Sequence, residues 1–533
     1  MSSFRKVRFL LLLPLAVVLL SISAYGQVTT GNVRGIVKDP SGAVVPNATV
    51  TLTDPVKQTT QTATTTGGGE FQFHNLLPGT YNVKVEASGF SVANIDDVRV
   101  QLNETTDLPV QLQIGATTAT VNVSAAGVEL VDTTTTNLSK QFDERQVVDL
   151  ALTGQTGTGT GTGAGVNNLS LLSPGVTSNG GVGVGVGGSV GGQRPRNNNF
   201  IVDGVDNNDK AVTGPQVYVS PETVKEFSLL TNQYAAEFAR STGGQFISVT
   251  KSGGNDFHGT GYDFFRNRKL NALDTLDKVG ANVVREDNPP AGFERQRRYD
   301  YNRYGFNLGG PLYFPRFGEG GSRYYPWSGK DKLFFFVSLE NLHYGFNSGA
   351  SQLEAPTTLG LAQIAAQPGV SQTNLNVFRN FVPVAPFSNG DSFDLNGTPI
   401  DLGLISVPSP FTEGNRNFVL NLDFNQSSKT SHHSRFIWNR LRQTDNAATL
   451  PAFFTLVPTD DRLFSYTMNH SFNSDWTNEM RLSYRRHVQD FSVPNFVFPG
   501  LDQFPNIDLD DIFGGGSIGP DPNAPQSTIE NNY

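Results

Sequence analysis

Cysteine is absent from all 533 residues, and methionine occurs only 3 times. Lack of cysteine removes disulfide scaffolds, thiolate zinc sites and cysteine nucleophiles together. It also suits a chain exported to an oxidising compartment. Charge is scarce: Asp, Glu, Lys and Arg make up 16% of the chain, low for a soluble globular protein. The net charge of −9 leaves no basic excess to neutralise phosphates, which argues against a nucleic-acid partner. The 7 histidines form no HExxH and no HxxE pair, so zinc-peptidase spacing is missing, and no cofactor is expected. Past the first 20 or so residues there is no long apolar run. If the mature chain crosses a membrane, it must do so with strands closed into a barrel.

What is present begins with an export pattern. Arg5, Lys6 and Arg8 form a basic start, Phe9 to Leu20 an apolar stretch too short to span a bilayer comfortably, and Ala24-Tyr25-Gly26 a small-residue cleavage site. This predicts a signal peptide over residues 1–26, with Gln27 as the mature start; an N-terminal membrane anchor is the alternative. From Gly31 to about Ile114 short alternating strands are punctuated by turns such as Asp39-Pro40-Ser41-Gly42 and Leu77-Pro78-Gly79-Thr80. That spacing predicts a small β-sandwich over residues 27–116. Phe71, Phe73, Tyr81 and Val83 fall at core-facing positions. The runs GxVxGxVxDxxGxxVPxAxVxL (Gly31 to Leu52) and GEFxFxxLxPGxYxVxVxAxGF (Gly69 to Phe90) resemble the carboxypeptidase regulatory-like domain. Despite its name, that resemblance implies a non-catalytic sandwich similar to carbohydrate-binding ones.

Composition shifts near Val128. Residues 154–165 are almost only Gly and Thr, and 180–192 almost only Gly and Val, as in flexible low-complexity loops. Around them stand Asn199-Phe200-Ile201-Val202-Asp203-Gly204-Val205-Asp206, the stretch from Glu222 to Leu230, and the run from Tyr234 through Arg240, Gly243 and Gly244 to Lys251-Ser252-Gly253. In this order the islands resemble the plug domain of TonB-dependent outer-membrane receptors. The resemblance implies a plug over residues 128–255, with Asp203, Gly204, Arg240, Gly243, Gly244 and Lys251 carrying its motif. In that family a short extended TonB box precedes the plug. Thr120-Val121-Asn122-Val123, in the linker 117–127, stands at this place. It would recruit TonB by adding a strand, and the other reading is a last strand of the sandwich.

From residue 256 to 533 the alternation is that of a barrel wall. Tyr304, Phe306 and Leu308 alternate with Arg303, Gly305, Asn307 and Gly309. Similar runs begin at Leu333, Phe418, Phe464 and Trp476. Apolar side chains would face outer-membrane lipid and polar ones the lumen. Tyr344 to Arg416 is predicted to be a long polar loop, and Asn473-Ser474-Asp475 a tight turn. YGFNLGGPLYF and KDKLFFFVSLENL resemble the first strands of the Oar-like subgroup of these receptors. About seven strands are legible, whereas a plugged transporter has about 22. The expectation is therefore an all-β-dominated fragment: signal peptide, sandwich, plug and the N-terminal part of a transmembrane barrel.

The function this implies is energised uptake of a scarce or large ligand, with TonB at the periplasmic end, an unknown extracellular ligand and a place in the cell outer membrane. The alternatives are a surface adhesin or carbohydrate-binding protein built as a soluble array of sandwiches, and a peptidase-class enzyme. No catalytic residue is expected. GxSxG around Ser189 and Ser517, and GxGxxG at Gly183, Gly185 and Gly188, lie in glycine runs rather than on a strand-to-helix elbow or phosphate loop. Asp203, Asp206 and Asp209 lack the spacing of a calcium loop and are read as a turn.

Overall fold

The computed structural model describes residues 29–115, 120–124, 138–150, 165–177, 188–210, 214–232, 241–270, 272, 283–284, 294–295, 298–314, 327–473, 476–509, 513 and 515–532. The expected signal peptide therefore lies outside the described residues.

The first module is a sandwich of two sheets. One places β4 (Glu70–Leu76) beside β1 (Gly31–Lys38), which pairs in parallel with β7 (Thr105–Asp107) and β8 (Val110–Gln111). The other runs β3 (Thr59–Thr64), β2 (Thr49–Asp54), β5 (Gly79–Glu86), β6 (Val92–Val100) and β9 (Thr120–Ser124). Alternation sets which side chains meet between the sheets. Val33, Val37, Val50, Leu52, Phe71, Phe73, Tyr81, Val83 and Val85 are all buried in one core. The Tyr81 hydroxyl donates to Leu77 O at 2.8 Å, which satisfies the polar end of a buried ring.

The second module is an inner sheet in the order β10 (Leu138–Asp143), β15 (Val224–Asn232), β16 (Gln245–Thr250), β13 (Asn199–Val202), β14 (Val205–Asp206). A two-stranded ribbon of β11 (Val176–Thr177) and β12 (Ser189–Val190) adjoins it in sequence. Every residue of β13 and β16 is buried. Helix α1 (Glu144–Asp149) follows β10 and starts with a reciprocal capping box between Asp143 and Gln146.

The third module is an antiparallel wall of β17 (His258–Asn267), β18 (Tyr299–Pro311), β19 (Leu333–Pro356), β20 (Thr398–Ser427), β21 (Thr430–Asp445), β22 (Thr455–Ser471), β23 (Thr477–Phe491) and β24 (Gln526–Asn532), each beside its neighbour in the chain. Tyr304, Phe306, Leu308, Leu339, Phe464, Met480 and Leu482 are exposed on its outer face. Arg303, Asn307, Ser338, Glu340, Asn421, Asp423, Ser465 and Arg485 are buried on its inner face. This is the expected alternation, apolar outside and polar within.

Two expectations change. The segment from Tyr344 to Arg416 is not a loop: β19 and β20 stay paired out to Pro356 and Leu402. Helices α2 (Thr358–Ala365) and α3 (Gln372–Phe381) and a hairpin strand (Ser392–Leu395) fill the far end. At roughly 3.3 Å per residue the 30 residues of β20 far exceed a bilayer's thickness. Its outer part therefore lies beyond lipid and has no need of apolar alternation. The final strand β24 was also not expected, because Ile529 is its sole large apolar residue. Its backbone pairs with β23 all the same, Asn532 opposite Arg485 and Gln526 opposite Phe491.

Candidate functional site

The inner sheet lies against the lumen face of the wall, and both surfaces are written into the sequence by alternation. Val419, Ile437 and Leu463 of three successive wall strands are fully buried in one cluster with Phe142, Phe200, Phe227, Leu229 and Phe246 of the inner sheet. Around this apolar centre the wall supplies amide and guanidinium donors to the inner sheet and the turns beside it. Asn417 donates to Tyr218 O at 2.8 Å. Asn421 donates to Thr250 Oγ1 at 2.8 Å and Lys251 O at 2.7 Å. Arg481 donates to Gly204 O at 2.8 Å and Arg485 to Asp206 O at 2.9 Å. A side chain binding a carbonyl on a separate module fixes register without covalent linkage.

Two groups of buried charge lie beside this contact, apart from the His487–Asp461 pair at 2.6 Å. On one side Arg303 lies 3.3 Å from Glu340 Oε2 and 3.6 Å from Glu222 Oε1, with the Tyr262 hydroxyl 2.8 Å from Glu340. Burial raises the Glu222 carboxyl above its ordinary value, and Arg303 and Lys251 oppose the shift. On the other side Asp423 is held by Arg435 at 2.8 Å and His433 at 2.7 Å. The nearby Asp203 of the inner sheet accepts from Thr250 N at 2.9 Å and Thr250 Oγ1 at 2.8 Å. Burial raises its carboxyl, partly offset by Arg435 and by Thr250.

The expected plug-motif residues fall here with one exception. Asp203 and Gly204 form the β13–β14 turn with φ of 48° and 75°. A Cβ on Gly204 would sit 2.0 Å from Arg481 Nη1, so close approach to the wall requires glycine. Gly243 and Gly244 lead into β16, their N–H groups donating to Asn197 O at 3.1 Å and Asn198 Oδ1 at 3.0 Å. Lys251 Nζ lies 3.0 Å from Glu144 on α1. Lys225 approaches the same carboxylate at 2.9 Å. Burial opposes ionisation of Glu144, and the two ammonium groups outweigh it and hold the carboxyl below its ordinary value. Arg240 lies outside the described residues.

Thr120 to Val123 belong to β9, which pairs in parallel with Val92–Asp96 at the edge of the sandwich sheet. Among the described residues no strand pairs with its other edge. Ser189 and Ser517 sit in short ribbons. Ser189 Oγ donates to Gln193 O at 2.6 Å, a turn contact.

Sequence reading missed Lys57, Leu102, Glu226, Arg435, Arg481 and Asp423. The available signal was a charge at an inward position of an alternating strand, as at Asp423 two residues after Asn421. The partners lie too far away in sequence to be paired by inspection.

A wall with an apolar outer face and a polar inner face covered by a separate sheet is the arrangement of part of an outer-membrane β-barrel. Residues 249–533 match the outer membrane beta barrel domain, and the chain belongs to that family, whose place is the outer membrane. Residues 32–113 match the carboxypeptidase regulatory-like domain. Over 300 residues the chain is 29% identical to the TonB-dependent transporter Oar of Myxococcus xanthus, covering 56% of this chain and 25% of that protein. The match thus spans about a quarter of the relative's length. Solved structures with a similar arrangement include the outer membrane transporter YddB from Escherichia coli (9% identity, TM-score 0.40, 66% of this chain and 39% of that one). Another is the siderophore receptor PirA from Acinetobacter baumannii (13% identity, TM-score 0.38, 74% and 43%). The chain is accordingly an outer-membrane β-barrel protein that is similar, over part of its length, to a TonB-dependent transporter. Barrel-family membership replaces the soluble array of sandwiches as the account of the alternating strands, and the similar proteins are transporters and receptors.

Proposed function

We propose that the receptor carries out energised uptake, with the inner sheet as a plug that TonB displaces. The observation that supports this reading is how the plug is held. Its contact with the wall is made by an apolar patch ringed by side chain-to-backbone hydrogen bonds, from Asn417, Asn421, Arg481 and Arg485, with ion pairs at its margin. Such contacts keep the lumen closed at rest, and water can replace each polar one when force is applied. TonB would add a strand to the open edge of β9 at Thr120–Val123, as an unpaired edge invites. The ligand would enter from the far end, where β19, β20 and the two helices project.

A single cysteine tests this in the otherwise Cys-free chain. Ser248→Cys places a thiol on β16, where Ser248 is 4% exposed. Cells carrying the full receptor are treated with a maleimide with and without an uncoupler, in the presence and absence of TonB. Labelling that needs both TonB and the proton gradient is expected. Equal labelling in all four conditions would mean that the sheet opens without energy, and the reading would fall.

A further inference from the structure

The sandwich meets the rest of the molecule at two buried points of different chemistry, besides a half-exposed Arg99–Asp143 ion pair at 3.4 Å and a 3.5 Å contact of Arg481 with Thr29 Oγ1. The first is the turn between β6 and β7. Leu102 is fully buried with Ile201, Leu230, Ile247 and Val249 of the inner sheet. Its N–H donates to Glu226 Oε1 at 2.8 Å. The second is the turn between β2 and β3, which reaches the wall at its short-turn end. Val56 O accepts from the Asn255 N–H at 3.0 Å. Lys57 Nζ donates to Ser252 Oγ at 2.9 Å and lies 3.5 Å from Asp423 Oδ2. Lys57 is 7% exposed and Asp423 1%. Ser252 is fixed to the wall side, since a Cβ on the adjacent Gly253 would sit 2.2 Å from Phe335 O of β19. Elsewhere between the sandwich and the inner sheet lies a cleft of about 600 Å³ bordered by Arg99, Asp143, Glu144 and Lys225. Attachment is therefore made at points and not over one broad dry surface.

The two points differ in what is lost when each opens. Asp423 is also bound by Arg435 and His433, so it keeps its partners when Lys57 withdraws. The Lys57 ammonium returns to water, and no buried charge is left stranded. Opening the other point would expose Leu102 and the four apolar side chains around it. We propose that the sandwich is a hinged lid over the short-turn mouth of the barrel, seated on the inner sheet through Leu102 and latched to the wall by Lys57, with the latch as the part that opens. If the inner sheet moves as a plug, the lid travels with it; the latch itself does not depend on that motion, on TonB or on a ligand.

Amide hydrogen exchange of the purified full-length receptor tests the latch directly. The Asn255 N–H reports the wall contact and the Leu102 N–H reports the seat. In the unaltered protein Asn255 is expected to exchange faster than Leu102. Lys57→Met should speed Asn255 exchange by about tenfold or more and leave Leu102 unchanged, and Lys57→Arg should restore much of the protection. Undiminished exchange protection across β20 and β21 shows that the variant wall is folded. The proposal is overturned if Leu102 exchanges before Asn255 in the unaltered protein. It is equally overturned if Lys57→Met leaves Asn255 unchanged or releases both amides together.

Discussion

Replacing Gly204 with alanine should loosen the inner sheet from the wall, and the cost follows from two separable terms. Gly204 has φ of 75°, so alanine there costs about 1–2 kcal/mol in backbone strain. The new Cβ would also fall 2.0 Å from Arg481 Nη1. The guanidinium must withdraw, which breaks its 2.8 Å bond to Gly204 O. A charge-assisted bond of that kind is worth about 1.5–3 kcal/mol. Gly204→Ala should therefore cost about 2.5–5 kcal/mol, the sum of those two ranges. Arg481→Met should cost that bond together with the guanidinium's contacts to Thr467 Oγ1 and Glu479. Since the bond to Gly204 O can be lost only once, the costs of the two changes should fall short of additivity by about 1.5–3 kcal/mol. Exchange protection of the Asp203 N–H, which donates to Ser248 O at 3.0 Å, reads this locally in the full receptor. Costs that simply add, or a Gly204→Ala protein with unchanged protection, would refute the reasoning.

Other expectations follow from the same contacts. Burial raises the Glu226 carboxyl to about 7, with the Leu102 N–H and Arg99 drawing it down and Glu104 pushing it up. The docked state thus binds more protons than an undocked one across the range from 4.5 to about 7. The Leu102 seat should be firmest below that range and weaken as pH rises through it, by up to about 3 kcal/mol. Leu102 exchange corrected for intrinsic rate should show this slope, and Glu226→Gln should flatten it; a slope that survives the substitution would contradict the assignment. Leu482, on the outer face and 59% exposed, should tolerate arginine poorly. The cost is about 2–4 kcal/mol if it sits near the bilayer midplane, read as a lower denaturant midpoint in vesicles; an unchanged midpoint would place it outside lipid. Phe73→Ala should cost the sandwich about 3–5 kcal/mol through a core cavity, visible as early loss of exchange protection in β1 and β4 with the wall unaffected.

Legibility in the sequence tracked the strength of alternation. The sandwich was readable because Val33, Val37, Phe71, Phe73, Tyr81 and Val83 alternate cleanly and all face one core. The wall strand β18 and the part of β20 from Phe418 to Phe424, each with one polar and one apolar face, were equally plain. Strand β21 was not, because Phe436 and Trp438 on one face alternate with Arg435, Ile437 and Asn439 on the other. Ile437 is apolar because it faces the inner sheet and not open water. Phe334 and Phe336 are also inward-facing and fully buried in an otherwise polar lumen, with Lys57 Nζ 5.8 Å from the Phe334 ring centroid. In the inner sheet, Asp203-Gly204 was legible as a turn. That Gly204 must admit Arg481, 277 residues away, was not. Lys57 and Leu102 sit in ordinary-looking turns, and their roles emerge only when three modules are assembled.

The most direct measurement of the central claim is binding of the purified periplasmic domain of TonB to the full-length receptor, with and without Thr120 to Val123. The account expects binding to the intact receptor and its loss on deletion, while the protein still inserts in the outer membrane and retains exchange protection in the wall. Undiminished binding after deletion would contradict the recruitment of TonB through β9, and no binding to either form would contradict the TonB-driven account itself.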